Sequence, residues 1–229
     1  MTLNEDIKRE IKANIDLDYL SFHSSLVPNI HTIEGVRIPV LRNIAKTISK
    51  KEDIFSYLNN PTLDTYEEIT IYGLVIGYLK LDIKEYQYYL KKFIPYIDNW
   101  ATCDVVASNL KWIKKYKKQM YPFILSYLKS KEEFEVRFSI IMLMDYYLDD
   151  YYEEIFSLLC EIKLDYYYVK MAMAWLISNC YIKHKKETLY FLKNNSLDDW
   201  THNKSIQKII ESNRVLKEEK ENLKTLKRM

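Results

Sequence analysis

The sequence predicts an all-α protein, and three observations carry that expectation. Glycine occurs 3 times and proline 5 times in 229 residues, too few for the turns that β architectures need. Apolar residues recur at three- and four-residue intervals through most of the chain, the period of an amphipathic helix. In its second half, segments of this kind come in pairs at a nearly constant repeat.

Residues 4–27 read as an amphipathic helical start, with Ile7, Ile11, Ile15, Leu17, Leu20 and Leu26 at helical intervals and Pro28 ending it. "NIHTIEGVRIPVLRNIAKTISK" follows as a loop and then a helix. Gly35 suits the turn, and Pro39 suits a first helical turn, where its missing N–H costs nothing. Residues 51–58 form another short helix, stopped by "NNPT". Asp64 or Thr65 then caps a new helix, with Glu67 or Glu68 three residues on. That helix and the next divide near Leu81 and Asp82.

The following helix pairs, 98–131, 132–163 and 164–195, run 34, 32 and 32 residues. Each has an apolar first helix, a short charged elbow and an amphipathic second helix. Helix pairs repeating at this length indicate an α-solenoid. The residues repeat only weakly, so HEAT-like describes it better than consensus-rich helical repeats. Residues 196–229 supply capping helices and a Lys-rich tail, "KEEKENLKTLKRM", expected to be frayed and solvated. No linker divides the chain, which is expected to be one domain: N-terminal helices over 1–62, helix-pair repeats over 63–195, capping helices over 196–229.

Composition excludes several classes of function. The net charge of +2 names no partner, so any charge signal must be local. The 21 tyrosines, with abundant Lys, Ile and Asn, match a coding bias rather than a binding surface. Cys103, Cys160 and Cys180 are odd in number and widely spaced, against a disulfide framework or structural zinc and in keeping with a reducing cytosol. The four histidines form no metal-binding motif, so neither a metal nor a cofactor is expected. "MTLNEDIKREIKANI" is charged, unlike a signal peptide. No apolar run reaches the roughly 18 residues of a membrane span. The expectation is a cytoplasmic monomer in a bacterial cytosol or nucleoid.

Against this background four residues stand out on the first helices of three successive pairs. Trp100 and Asp104 are one helical turn apart in "NWATCDVVASNL". Arg137 is the only basic residue between Lys131 and Lys163. Trp175 interrupts the apolar run "MAMAWLIS". Neighbouring pairs put these on neighbouring helices, where the inner face of a solenoid binds its ligands. Indole faces attract cations. A carboxylate stabilises positive charge developing at a sugar carbon, or orients a water. Arginine grips phosphate bidentately. Each residue also has a purely structural explanation: Trp100 as a cap or staple, Asp104 as a surface carboxylate, Arg137 as the partner of Glu133, and Trp175 as core.

Positive charge is concentrated in "LKWIKKYKKQM", with Lys111, Lys114, Lys115, Lys117 and Lys118 interleaved with Trp112 and Tyr116. Lys183 and Lys185 in "IKHKK" occupy the matching elbow of a later pair. Basic elbows along one rim would follow a phosphate backbone. "GLVIG", with Gly73 and Gly77 four apart, reads as a close helix contact, not a phosphate loop.

Over nearly its whole length the chain resembles the AlkD-like family of DNA alkylation repair proteins. The resemblance rests on "GVRIPVLRNIAK", "NWATCDVVASNL", "EVRFSIIMLMDYY", "YYVKMAMAWLISNCY" and "THNKSIQKIIES". It implies a HEAT-like solenoid that holds duplex DNA on its concave face. It also implies excision of cationic N3- and N7-alkylpurines without extrusion of the lesion. Asp104 would be the catalytic carboxylate, Trp100 and Trp175 would line the lesion nucleoside, and Arg137 would hold backbone phosphate. Lys111, Lys114, Lys115, Lys118, Lys183 and Lys185 would follow the DNA backbone. The family also contains branches that keep the solenoid, lack glycosylase activity and bind branched DNA. The alternatives are therefore an inactive module for distorted or branched DNA, and a protein-binding solenoid.

Overall fold

The structure, a computed structural model, describes residues 2–27 and 32–229. Pro28 lies outside the described residues. Fourteen α-helices and no strand occur among the described residues. The chain divides into two compact units, Met1–Phe123 and Ile124–Met229.

The first unit opens with α1 (Leu3–Ala13) and α2 (Leu17–Leu26). This corrects the single helical start expected over 4–27. The break has a local cause. The Asn14 amide turns back to the Glu10 carbonyl at 2.8 Å, and the Asp16 carboxylate accepts the Tyr19 N–H at 2.9 Å to begin a new helix. Asp16 also pairs with Arg37 at 2.8 Å. The break shifts the helical phase. Ile7 and Ile11 are buried as expected, but Ile15, Leu17 and Leu26 are exposed.

α3 (Ile38–Ile48) carries Pro39 in its first turn. Gly35 precedes it with φ +91°, a conformation open to glycine at little cost. The buried Glu67 carboxylate gathers the loop by accepting N–H bonds from Glu34, Gly35 and Val36 at 3.0, 2.8 and 3.2 Å. After α4 (Ile54–Asn59) comes α5 (Tyr66–Tyr78), begun by a capping box of Thr65 and Glu68. α6 (Ile83–Phe93) is capped by Asp82. α7 (Trp100–Ala107), a 3₁₀ segment over Lys111–Lys115 and α8 (Lys117–Tyr127) follow.

α3, α5 and α7 pack side by side, with α5 in the middle. Glycine makes this close approach possible. A Cβ on Gly77 would collide with the Asn109 amide, and one on Gly73 would lie 2.6 Å from both Phe93 and Val106. "GLVIG" is therefore a packing motif.

The second unit repeats the arrangement. Its helices after α8 are α9 (Glu133–Tyr146), α10 (Leu148–Glu161), α11 (Tyr167–Lys183), α12 (Lys185–Asn194), α13 (Asp199–Glu211) and α14 (Lys217–Lys224). α11 packs between α9 and α13, while α10 and α12 return alongside their partners. Helices adjacent in sequence pack together as α5 with α6 in the first unit, and as α9 with α10 and α11 with α12 in the second.

The C-terminal tail departs from expectation. Leu223 is buried, and Arg228 donates to the carbonyls of Leu197 and Asn195 and to Asn195 Oδ1. His202 Nε2 donates to the Leu226 carbonyl at 2.8 Å. The mixed-sign sequence looked solvated because most of these partners are backbone groups, which composition does not reveal.

Candidate functional site

Trp100 and Asp104 owe their placement to the start of α7. Asn99 caps the helix, its Oδ1 accepting the Thr102 N–H at 2.8 Å and its amide donating to Thr102 Oγ1 at 3.1 Å. Thr102 in turn meets Thr70 of α5 through a buried hydroxyl pair at 3.0 Å. This fixes which face of α7 turns inward: Ala101, Thr102, Cys103, Val106 and Ala107 are buried. Trp100, Asp104 and Ser108, four residues apart, lie on the remaining face and keep access to solvent.

The Trp100 indole is itself held, its N–H donating to the Leu26 carbonyl at 3.1 Å. That bond uses the only polar group of the ring and fixes its plane against the end of α2. Asn99, not Trp100, is the cap. The far end of α7 is secured by a residue the sequence reading did not single out. Arg42 of α3 donates to Asn109 Oδ1 at 3.1 Å and reaches the Val105 carbonyl at 3.5 Å. A cation at a helix C-terminus is favoured by the exposed carbonyls there. Arg42 stands inside "GVRIPVLRNIAK", but its partners are 63 and 67 residues away, beyond any local pattern.

Lys111, Lys114, Lys115 and Lys118 are exposed directly beyond this helix. None is in an ion pair among the described residues. Lys115 lies 5.2 Å above the Tyr116 ring. Trp112 stacks on Tyr86 with centroids 3.4 Å apart, so it anchors the elbow and leaves the lysines to the surface.

In the second unit Trp175 is 41% exposed on a helix whose neighbouring residues Ala172, Met173, Ala174, Leu176, Ile177 and Ser178 are all buried. It is not core. Tyr168, Met171 and Asn179 share its partly open face, and the Asn179 amide donates to the Trp175 carbonyl at 3.0 Å.

Arg137 is only 5% exposed. It donates to the Tyr168 carbonyl at 2.8 Å, and Glu133 accepts the Tyr168 N–H at 2.7 Å. Residues one turn apart on α9 thus clamp the first turn of α11. The clamp is seven residues, roughly 10 Å of helix rise, from Trp175. Little of the guanidinium is left open to a phosphate.

Lys183 and Lys185 differ from the first elbow. Lys183 pairs with Asp149 at 2.7 Å and Lys185 pairs with Glu219. Their charge is largely answered within the protein.

A second group missed by the sequence reading surrounds Trp200 on α13. Its exposed indole meets Tyr167 at 5.8 Å, with Lys170 and Lys204 5.0 and 5.4 Å from the ring. The hydrogen bond from Lys170 to Asp165 holds that ammonium above the usual lysine range. The signal lay in "DDWTHNK", a tryptophan among polar neighbours at a helix start.

Among the described residues no group of three or more His, Cys, Asp or Glu is placed to hold a metal, and no helix is long and apolar enough to cross a membrane. No curated protein matches the chain. A family model described as "DNA alkylation repair enzyme" matches residues 7–209, which include Trp100, Asp104, Arg137, Trp175 and both basic elbows. The packed helix pairs and the open tryptophan and carboxylate of α7 therefore stand in a chain that belongs to the DNA alkylation repair enzyme family.

Proposed function

We propose that this protein is a DNA glycosylase that hydrolyses the N-glycosidic bond of cationic N3- and N7-alkylpurines in duplex DNA. The observation that carries the reading is the pairing of Trp100 with Asp104 on the open face of a helix whose other face is buried and tied to α5. Alkylation turns the base into a cation, which departs as a neutral molecule, so little acid catalysis is required. The remaining task is to stabilise an oxocarbenium-like sugar and deliver water. A carboxylate beside an aromatic face performs both.

In this reading Asp104 is the catalytic carboxylate. Trp100 presents a fixed ring to the cationic nucleoside, and Trp175 offers a second indole. Lys111, Lys114, Lys115 and Lys118 hold DNA phosphate. Arg137 contributes chiefly by fixing the start of the Trp175 helix. The HEAT-like solenoid with a concave DNA face, and action as a monomer without metal or cofactor, belong to the same proposal.

The test is incubation with N7-methylated duplex DNA, followed by detection of free base. Wild type should release N7-methylguanine, and Asp104→Asn should lose at least roughly a hundredfold in rate, the scale of removing one electrostatic stabiliser, while still binding DNA. Undiminished turnover in Asp104→Asn would remove the carboxylate from the mechanism. Salt-dependent DNA binding by a wild type that releases no base would favour the inactive DNA-binding module. Absence of salt-dependent DNA affinity would favour a protein-binding solenoid.

A further inference from the structure

The second unit carries a concavity that none of the proposed DNA chemistry uses. It lies between α10 and α12 and encloses about 540 Å³, within the range of roughly 300–1,000 Å³ typical of small-molecule sites. Its floor is aromatic. The rings of Phe156 and Phe191 stack with centroids 4.3 Å apart and planes within 7°.

One wall is Tyr152. Its ring lies flat on His184 at 4.0 Å, and its hydroxyl donates to Glu153 Oε1 at 3.2 Å. Tyr190, 72% exposed, also lines the groove. With floor and one wall fixed by stacking, little ordering remains for a ligand to impose.

The rim supplies the charge. Glu153 and Glu187 are exposed, and neither is in an ion pair among the described residues. Among the described residues Lys186 is the only basic one lining the groove, so carboxylates exceed it by one. Ring faces attract cations, and the carboxylates act in the same direction. The two carboxylates oppose an anion, and Lys186 alone does not outweigh them. A neutral apolar molecule gains the floor but not the rim.

We propose that this groove binds a small organic cation with an apolar body, such as an aromatic ring bearing a quaternary ammonium. The phenyl floor takes the body. The tyrosine faces and the two carboxylates take the charge. The site is independent of the glycosylase reading, since it involves no residue assigned to DNA.

Benzyltrimethylammonium and its neutral isostere neopentylbenzene separate shape from charge. Titration of the full-length protein, followed through aromatic ring resonances, should shift Tyr152, Phe156, Tyr190 and Phe191. The cation should bind roughly tenfold more tightly, the scale of one cation–π contact plus one exposed ion pair. The double variant Glu153→Gln, Glu187→Gln changes only exposed side chains. It should weaken the cation severalfold and leave the neutral isostere unchanged. Equal affinity for the two probes, an unaltered cation affinity in the double variant, or ring shifts confined to other residues would each overturn the proposal.

Discussion

Arg42 on α3 and Asn109 beyond the end of α7 are joined by a guanidinium–amide hydrogen bond of 3.1 Å. The same Asn109 donates to the Leu74 carbonyl of α5 at 3.2 Å, in the space that Gly77 leaves. Three helices distant in sequence therefore meet at one buried amide. Arg42→Ala would leave Asn109 Oδ1 without this donor. A lost bond from a charged donor to a buried acceptor costs roughly 1–3 kcal/mol. We expect a fall of that size in urea unfolding. Amide exchange at the C-terminal turn of α7 should accelerate more than in α1. Uniform acceleration across the unit would show that Arg42 does not secure that turn specifically.

The two basic elbows make opposite predictions. Among the described residues Lys111, Lys114, Lys115 and Lys118 have no ion pair, whereas Lys183 and Lys185 are answered by Asp149 and Glu219. Each phosphate contact removed should lower the slope of log K against log salt by about 0.9 on duplex DNA. Replacing the four lysines of the first elbow with glutamine should reduce the slope by roughly 2 to 4. Replacing Lys183 and Lys185 should reduce it by less than about 1. The comparison needs only fluorescence anisotropy with a labelled duplex at several salt concentrations. Equal slopes for the two sets would remove the first elbow from the DNA contact.

How far the sequence was legible depended on the range of the interaction. Thr65 with Glu68 is a capping box closed within three residues and is one of the pairs the pattern offered. The helix division near Leu81 and Asp82 is also where the pattern put it, with Asp82 and Glu85 closing a second box there. Trp100 and Asp104 share a face because four residues is nearly one turn, so their pairing was readable too. What the pattern missed involves partners from elsewhere in the chain. The α1–α2 break depends partly on Arg37 reaching Asp16, and the order of the tail depends on Arg228 reaching carbonyls 31 and 33 residues away. Lys183 and Lys185 look like Lys114 and Lys115 in sequence, and differ only in the carboxylates that folding brings to them.

Arg137 and Trp175 should separate stability from function. Arg137 is buried and holds the Tyr168 carbonyl, so Arg137→Ala removes packing and a charge-assisted hydrogen bond between α9 and α11. A loss of roughly 2–4 kcal/mol follows, or a drop in Tm on the order of 5–10 °C for a chain of this size. Trp175→Ala removes a ring that is 41% exposed and should shift Tm by less than Arg137→Ala does, while the release of methylated base falls. Thermal unfolding and the base-release assay on both variants check the contrast. A large Tm loss in Trp175→Ala would make that ring a packing residue after all.

His23 links stability to pH. It is buried between Tyr19 and Tyr66, with ring centroids at 5.2 and 4.8 Å. Its Nε2 has no hydrogen-bond partner among the described residues. Burial lowers its pKa below the usual histidine value, although the Glu67 charge works in the opposite direction. His202 is lowered as well, chiefly by burial. Both rings are thus neutral when folded and take up protons more readily when unfolded. Their contribution is complete above the unfolded pKa of about 6.5 and is lost as pH falls from there toward the folded values. Each histidine can add at most about 1.4 kcal/mol per pH unit to the slope in that window. His23→Phe keeps an aromatic ring in the stack and removes one of the two titrations. The variant should lose less stability than wild type between pH 7.5 and pH 5.5 by chemical denaturation, with the remaining slope assigned to His202. Parallel pH profiles for the two proteins would mean that the folded state accommodates a charged His23, and that the buried ring is not what makes the first unit acid-sensitive.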